Sequence, residues 1–428
     1  MSPAARSPVT RRIGLSLGAD LCWPLCFEAL LKRLDLTVES GGDTLRFEVE
    51  RVTIEPFNLA APRKYDVVLD RLTHWFHTSR EWVKKAVVMD GTYVFNNPWS
   101  IQSMEKQTTY CAMLRLGLPV PDTWMVPPKE HEPSTDLKPT LNRYAKLFDL
   151  GLVGKQLGYP MFMKPYDGGA WRGVSRIDDE AALRKAYDES GKLVMHLQKA
   201  VDPFDLFVRC VGIGPQTRPI LYDPSAPLHG RYLVGDTHEG HTLSAEDAAL
   251  LQDMTLTINT FFGWDFNSCE ALRGADGVWA PIDFANACPD SQVTSLHYHF
   301  PWLVLSKLRW ALFIAATGRP MRMNLDWQPY FDVVDKDPDM PLRKRLQKFG
   351  KIARKRLQSD EFEEFCATHL ADLDEIALEF FAGDEARAAV RLKVAALFPE
   401  HEVDEFTEHF WGAIQQWRAD HAGATSPR

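Results

Sequence analysis

The chain lacks cysteines spaced for a metal or redox centre. Its 7 cysteines among 428 residues are scattered, odd in number and without a CxxC pair. That usage fits a reducing compartment, so the expected location is cytoplasmic. Cys22 and Cys26 read as two small core residues. An excess of positive charge is also missing: 49 Lys and Arg against 58 Asp and Glu leave a formal charge of -9, which argues against a nucleic-acid binder. No apolar run is long enough to cross a bilayer, because Lys307 and Arg309 interrupt the most apolar stretch, 300–316. Asp20 breaks the apolar segment near the start, and no small-residue cleavage site follows, so no signal peptide is expected. Internal repeats, low-complexity tracts, a Walker pattern and GxGxxG are absent too.

What is present is the composition of a globular protein, 45% hydrophobic and 25% charged. The length exceeds what one core usually supports, so several packed units are expected, with small molecules as partners. Residues 12–17 read as a buried strand and 21–34 as a helix. Strands at 46–54, 65–69 and 92–95 and a helix at 81–88 continue an alternation typical of α/β structure. A helix from 100 to about 116 stops at Gly117-Leu118-Pro119. Past 337 the sequence turns helical throughout. Arg343 to Arg356 is a basic run read as a solvated face, and Val403, Phe406, Phe410, Ile414 and Trp417 form one apolar stripe. The expected divisions are 10–99, 100–192, 193–335 and 336–428.

The strongest local signal is Tyr159-Pro-Met-Phe-Met-Lys164-Pro-Tyr-Asp-Gly168-Gly169-Ala-Trp-Arg-Gly173-Val174. A buried strand delivers a lysine, and glycines follow whose N–H groups can approach phosphate oxygens closely. Upstream stands Ser103-Met104-Glu105-Lys106. Downstream, His196-Leu-Gln198-Lys199-Ala-Val201-Asp-Pro-Phe-Asp205 reads as a strand and its exit, and Glu270 and Asp283 sit on two strands of a hairpin, with Asn286 beyond. Carboxylate and amide oxygens are the hard ligands that magnesium takes.

In this order the segments resemble the ATP-grasp superfamily, in particular D-alanine:D-alanine ligases and glutathione synthetase-like carboxylate–amine ligases. The resemblance covers about residues 12–325. It implies an α/β (α+β) ATP-grasp fold with an N-terminal α/β pre-ATP-grasp domain, to which this chain adds a C-terminal helical extension. It further implies that ATP is held by Lys106, Lys164, Gly168 and Gly169 at its phosphates, by main-chain groups near Gln198, Lys199 and Val201 at adenine, and by Asp205 at ribose. Gln198 stands where glutamate is commoner. One or two Mg2+ ions, with Mn2+ as an alternative, would be held by Glu270, Asp283 and Asn286. Because Asn286 lies three residues past Asp283 rather than two, the strand must end differently or bulge.

Arg231, then Arg209, are the candidate basic residues at the transferred phosphoryl group. The glycine-rich loop with Trp171 is a candidate lid, and 295–300 and Asp70, Arg71 and His74 are candidate lining. The implied activity is an ADP-forming ligase that activates a carboxylate as an acyl-phosphate and joins it to an amine. A kinase, or a non-catalytic ATP-binding scaffold, is the alternative. Substrate identity and oligomeric state, a homo-oligomer included, stay open.

Overall fold

In the computed structural model of the chain, residues 8–72, 76–103, 105–167, 172–286 and 288–422 are described. Fifteen strands are described: β1 (Val9–Ser16), β2 (Thr37–Ser40), β3 (Asp43–Arg51), β4 (Val67–Asp70), β5 (Tyr93–Phe95), β6 (Thr123–Val126), β7 (Met161–Pro165), β8 (Ser175–Ile177), β9 (Met195–Lys199), β10 (Phe204–Ile213), β11 (Gln216–Leu221), β12 (Thr237–His238), β13 (His241–Thr242), β14 (Phe266–Gly274) and β15 (Trp279–Asp283). They form sheets of order β2-β3-β1-β4-β5, β6-β9-β7-β8 and β11-β10-β14-β15, with β12-β13 as a small hairpin. The fold is mixed α/β, and every element after β15 is helical.

The chain divides into two compact units. The first takes Met1–Ser103, Arg209–Ser268 and Ala287–Arg428; the second takes Met104–Val208 and Cys269–Asn286.

In the first unit, β1, β3, β4 and β5 run parallel, with Ile13 opposite both Val49 and Val67, and Val67 opposite Tyr93. Parallel strands covered on both faces must be apolar throughout, which is why Val67, Val68 and Leu69 are all buried. The antiparallel β2 joins β3 through Gly41 and Gly42, both at positive φ, the backbone a two-residue hairpin requires. Asn96, just past β5, accepts from the main-chain N–H of Asp265 and Phe266 at 2.7 Å each. Beside it Asp265 is buried between the Tyr93 hydroxyl, at 2.8 Å, and Trp310 Nε1, at 2.9 Å. Burial pushes the Asp265 carboxyl up to about 6.

The helix Phe300–Thr317 is the core of this unit. By length and composition the stretch Val293–Thr317 would suit a membrane span, but 83% of its apolar 18-residue window is buried inside the protein. Lys307, one of the two charges in it, is itself buried. Its Nζ donates to Ser291 Oγ at 2.9 Å and lies 3.8 Å from the Trp23 ring. Burial drives its pKa well below that of an exposed lysine. The stripe on the last helix, Val403–Ala422, packs inward, with Phe410 against Phe398 and Trp417 against Phe381.

In the second unit, alternation decides which side chains face the site. Met161 and Met163 of β7, Met195 and Leu197 of β9, Val126 and Ile177 share one core with Leu150, Leu157 and Leu183 of the covering helices. Successive residues on a strand face opposite sides, so Lys164, His196 and Gln198 stand on the other face.

Candidate nucleotide site in the second unit

Register brings the strand residues of that face together. Lys164 pairs with His196 and Phe162 with Gln198 across β7 and β9, and Gln198 pairs with Thr123 across β6 and β9. Lys164 Nζ donates to Gln198 Oε1 at 2.6 Å, and Gln198 Nε2 donates to Thr123 Oγ1 at 2.9 Å. The amide is thereby fixed with its oxygen toward the lysine.

The acidic hairpin of β14 and β15 meets the same lysine. Glu270 and Asp283 are directly opposite, so they share a face, but Ala271 opposes Pro281, which leaves Ile282 as an extra residue on β15. The Ile282 carbonyl takes two donors, Lys164 Nζ at 3.3 Å and the Tyr110 hydroxyl at 3.1 Å. The register shift lies one residue before Asp283, and β15 ends at Asp283.

Lys106 opens the helix Lys106–Arg115. Its Nζ lies 3.3 Å from both carboxylate oxygens of Asp283. Tyr110, one turn along the same helix, packs edge-on against His196 and Phe284. Two ammonium groups and two carboxylates therefore converge within one unit.

Their electrostatics follow from burial. Lys164 is lowered to about 8, chiefly by desolvation; Asp283 and Glu270 oppose the shift and Lys106 adds to it. His196 falls to about 4 through burial and then the two lysines, so it is neutral. Its Nε2 lies 3.0 Å from Gln107 Oε1. An amide oxygen only accepts, so Nε2 carries the proton. The Tyr110 hydroxyl is pushed well above its ordinary value by burial and Asp283.

At the strand exit, Lys199 donates its N–H to Asp122 O at 2.8 Å and its Nζ to Tyr159 O at 3.1 Å. Asp205 is held bidentately by Arg273, at 2.8 and 2.9 Å. Gly168, Gly169 and Trp171 lie outside the described residues, as does His74.

The two candidate arginines belong to the first unit, where they gather on a tyrosine pair. Arg209 Nη1 donates to the Tyr232 hydroxyl at 2.9 Å and its guanidinium lies 4.4 Å from the Tyr222 ring. Arg231 donates to Ala226 O at 2.9 Å and to the Tyr222 hydroxyl at 3.4 Å. The stretch 295–300 packs at the start of the core helix: His299 Nε2 meets Leu233 O at 2.8 Å and Tyr298 donates to Asp420 at 2.8 Å. Asp70 accepts from Ser16 at 3.0 Å, and Arg71 donates to Asp20 at 2.8 Å, both buried.

Sequence reasoning missed Tyr110, His196 and Arg273. The first two carried a signal, since Tyr110 follows Lys106 by one helical turn and His196 alternates with Gln198 on one strand face. Arg273 carried none, because its partner Asp205 is on another strand.

No protein-family model matches the chain, and no curated protein matches it. Among solved structures it is similar to a RimK domain ATP-grasp protein from Sphaerobacter thermophilus DSM 20745, at 16% identity and TM-score 0.46 over 72% of this chain and 98% of that one. It is also similar to D-cycloserine synthetase DcsG, at 15% identity and TM-score 0.44 over 72% of this chain and 100% of the other. A third is D-alanine–D-alanine ligase from Bacillus anthracis, complexed with ATP, at 16% identity and TM-score 0.43 over 70% and 94%. At such TM-scores these likenesses carry no inference about the site, whose reading rests on its own residues.

Proposed function

We propose that the second unit binds ATP with magnesium, and that the chain is an ADP-forming ligase joining a carboxylate to an amine. The observation that carries this is the convergence of Lys106 and Lys164 on the acidic hairpin, at Asp283 and at the adjoining Ile282 carbonyl. Two compact cations beside paired carboxylates suit a polyphosphate that arrives with a divalent ion.

The residues fit such an ion. Glu270 and Asp283 face each other in register, Lys106 already holds a cation against Asp283, and Asn286, three residues further along the chain, would add an amide oxygen. Among the described residues no three His, Cys, Asp or Glu side chains are grouped so that they alone could hold a metal ion. A hard ion here would complete its shell with phosphate oxygens and water, as magnesium does at nucleotide sites. When bound, it would neutralise charge on the phosphates and polarise the group being transferred.

The protein's own part is electrostatic. Lys164, neutralised with little difficulty at about pH 8, regains its full charge beside phosphate oxygens. With magnesium bound, Asp283 would help to hold the ion and Lys106, now 3.3 Å from that carboxylate, would be available to the phosphates. Asp205, oriented by Arg273, offers both oxygens to ribose hydroxyls, and the Val201 main chain lies next to the strand exit for adenine. A substrate carboxylate attacking the γ-phosphorus would release ADP and form an acyl-phosphate. Attack of an amine would then expel phosphate and leave an amide.

The test is ADP and phosphate release by the full chain with magnesium-ATP and pooled carboxylates and amines, with Lys164→Ala alongside. Release that needs both pools and is lost in the variant supports the ligase. ADP without free phosphate, with a phosphorylated product, would make it a kinase. Failure to bind magnesium-ATP would sink the nucleotide reading.

A further inference from the structure

The basic run 343–356 separates, once folded, into two sets of cations with different surroundings. It forms the helix Leu342–Leu357, which carries eight basic residues and no acidic one in a chain of net charge -9. Burial of Leu346, Phe349, Ala353 and Leu357 fixes which face of the helix meets solvent. The arginines are all engaged. Arg343 pairs with Glu246 and Arg354 with Asp253, Arg345 donates to the carbonyls of Pro338 and Met340, and Arg356 donates to Asp326 O. The lysines are not: Lys344, Lys348, Lys351 and Lys355 are exposed, and among the described residues none of them pairs with a carboxylate. Spaced four, three and four residues apart, they stand along one face, where like charges repel and an anion laid across them relieves the repulsion.

Three of the four meet a concavity. A groove of about 420 Å³ is lined by Lys344, Gln347, Lys348, Lys351 and Arg354 of this helix and by Asp253 of the helix Ala245–Phe262. Asp253, the carboxylate in that wall, is 14% exposed and already held by Arg354, which leaves three ammonium groups uncompensated. Gly350 makes this arrangement possible. Glycine in a helix interior costs stability, and here a Cβ would lie 2.6 Å from Asp253 Oδ1 and 2.8 Å from Arg354 Nη1. The missing side chain lets the ion pair lie against the helix, where it keeps the acid occupied. Lys355, equally exposed on the same face, is not in the wall.

The chemistry of the lining selects a ligand class. Ammonium groups are compact charges with three donors each, suited to phosphate oxygens, and they lack the planar fork that arginine offers a carboxylate. The volume falls within the roughly 300–1,000 Å³ of small-ligand sites. A concave wall that includes three lysines and leaves out the fourth fits a compact ligand better than a flat bilayer or a long polyanion, either of which would engage Lys355 as well.

We propose that this groove binds a soluble small molecule carrying two or more phosphate groups, held by Lys344, Lys348 and Lys351 with the Gln347 amide. Both helices belong to the first unit, whereas Lys106 and Lys164 belong to the second. The inference therefore stands independently of the nucleotide reading.

The test is calorimetric titration of the full chain with inorganic tripolyphosphate, without magnesium, at about 0.15 M salt. Tripolyphosphate is expected to bind about tenfold or more tightly than orthophosphate, and equally well in Lys164→Ala. Lys348→Gln should weaken it about fivefold, and Lys344→Gln with Lys351→Gln should abolish it, while Lys355→Gln stays within about twofold of the parent. All four positions are exposed, so the ligand-free variants should melt with the parent. The proposal is overturned if tripolyphosphate does not bind at about 5 mM, or if binding is lost in Lys164→Ala, which would place it in the second unit. Equal weakening by Lys355→Gln and Lys348→Gln would also overturn it, showing a charged surface without a site. Sedimentation of the protein with phosphatidylinositol bisphosphate vesicles that tripolyphosphate fails to displace would replace the soluble ligand by a membrane.

Discussion

Lys164 faces an amide, with its Nζ 2.6 Å from Oε1 of Gln198. An amide oxygen solvates the ammonium group without neutralising it, so burial prevails and the lysine falls to about 8. Near that pH a fraction of the ligand-free protein carries Lys164 uncharged, and phosphate oxygens restore the charge. Magnesium-ATP binding at pH 8 is therefore expected to take up protons, read as a dependence of binding heat on buffer ionisation enthalpy. In Gln198→Glu, where a carboxylate already holds the lysine charged, the uptake should vanish.

The same shift fixes a sign for stability. The folded pKa lies below the unfolded value of about 10.4, so the folded state binds fewer protons, and stability rises with pH between roughly 8 and 10. At pH 7 the buried charge opposes folding by up to about 3 kcal/mol. Lys164→Met should accordingly melt no lower than the parent at pH 7, and its advantage should shrink above pH 8. It should lose ATP affinity throughout. A variant that melts well below the parent at pH 7 would show that the Gln198 contact outweighs the desolvation.

Asp283 has two roles in the proposed site, ligand to a metal and partner to Lys106. Asp283→Asn should reduce magnesium-dependent ATP affinity about tenfold or more, while binding of ATP without magnesium changes less because Lys106 is released. Titration with and without the metal distinguishes these outcomes. Equal losses in both conditions would take the metal away from Asp283.

The bidentate pair of Asp205 and Arg273 leaves the carboxylate partly exposed, at 28%. If Asp205 holds ribose, Asp205→Asn should narrow the difference in affinity between ATP and 2′-deoxy-ATP. Arg273→Met should act in the same direction with a loss of stability of about 3 kcal/mol or less, because it strands a half-buried charge. An unchanged preference in both variants would assign the pair to structure alone.

Asp265 gives the opposite pH signature. Its carboxyl is raised to about 6, so the folded state holds the extra proton, and stability is lost as pH climbs from about 4 through 6. Asp265→Asn keeps an oxygen for Tyr93 and Trp310. It should melt higher than the parent at pH 7.5 and converge with it near pH 4.5.

Local chemistry made much of this legible. Alternation in Met161-Phe-Met-Lys164 and Met195-His-Leu-Gln198 already separates a core face from a polar one, and the run Val67-Val-Leu69 announces a buried parallel strand. The short β2 escaped notice because Thr37 to Ser40 is too brief to alternate convincingly. What no local pattern carries is pairing at a distance. The register that sets Glu270 opposite Asp283, the bulge that presents the Ile282 carbonyl, and Arg273 on Asp205 all depend on strands far apart in the chain. Sequence ranks Arg231 ahead of Arg209, and only the fold shows them sharing two tyrosines.

The second unit is also interrupted in the chain, since 104–208 precedes and 269–286 follows a stretch that folds elsewhere. On a ribosome adding about 5–20 residues per second, Lys106 and Lys164 would emerge seconds before Asp283. Until then Lys106 on its helix and Lys164 on its strand have no acidic hairpin against them. A nascent chain stalled just past residue 208 should therefore attract polyanions without discrimination, and selectivity for a metal-bound nucleotide should be acquired only when the hairpin arrives.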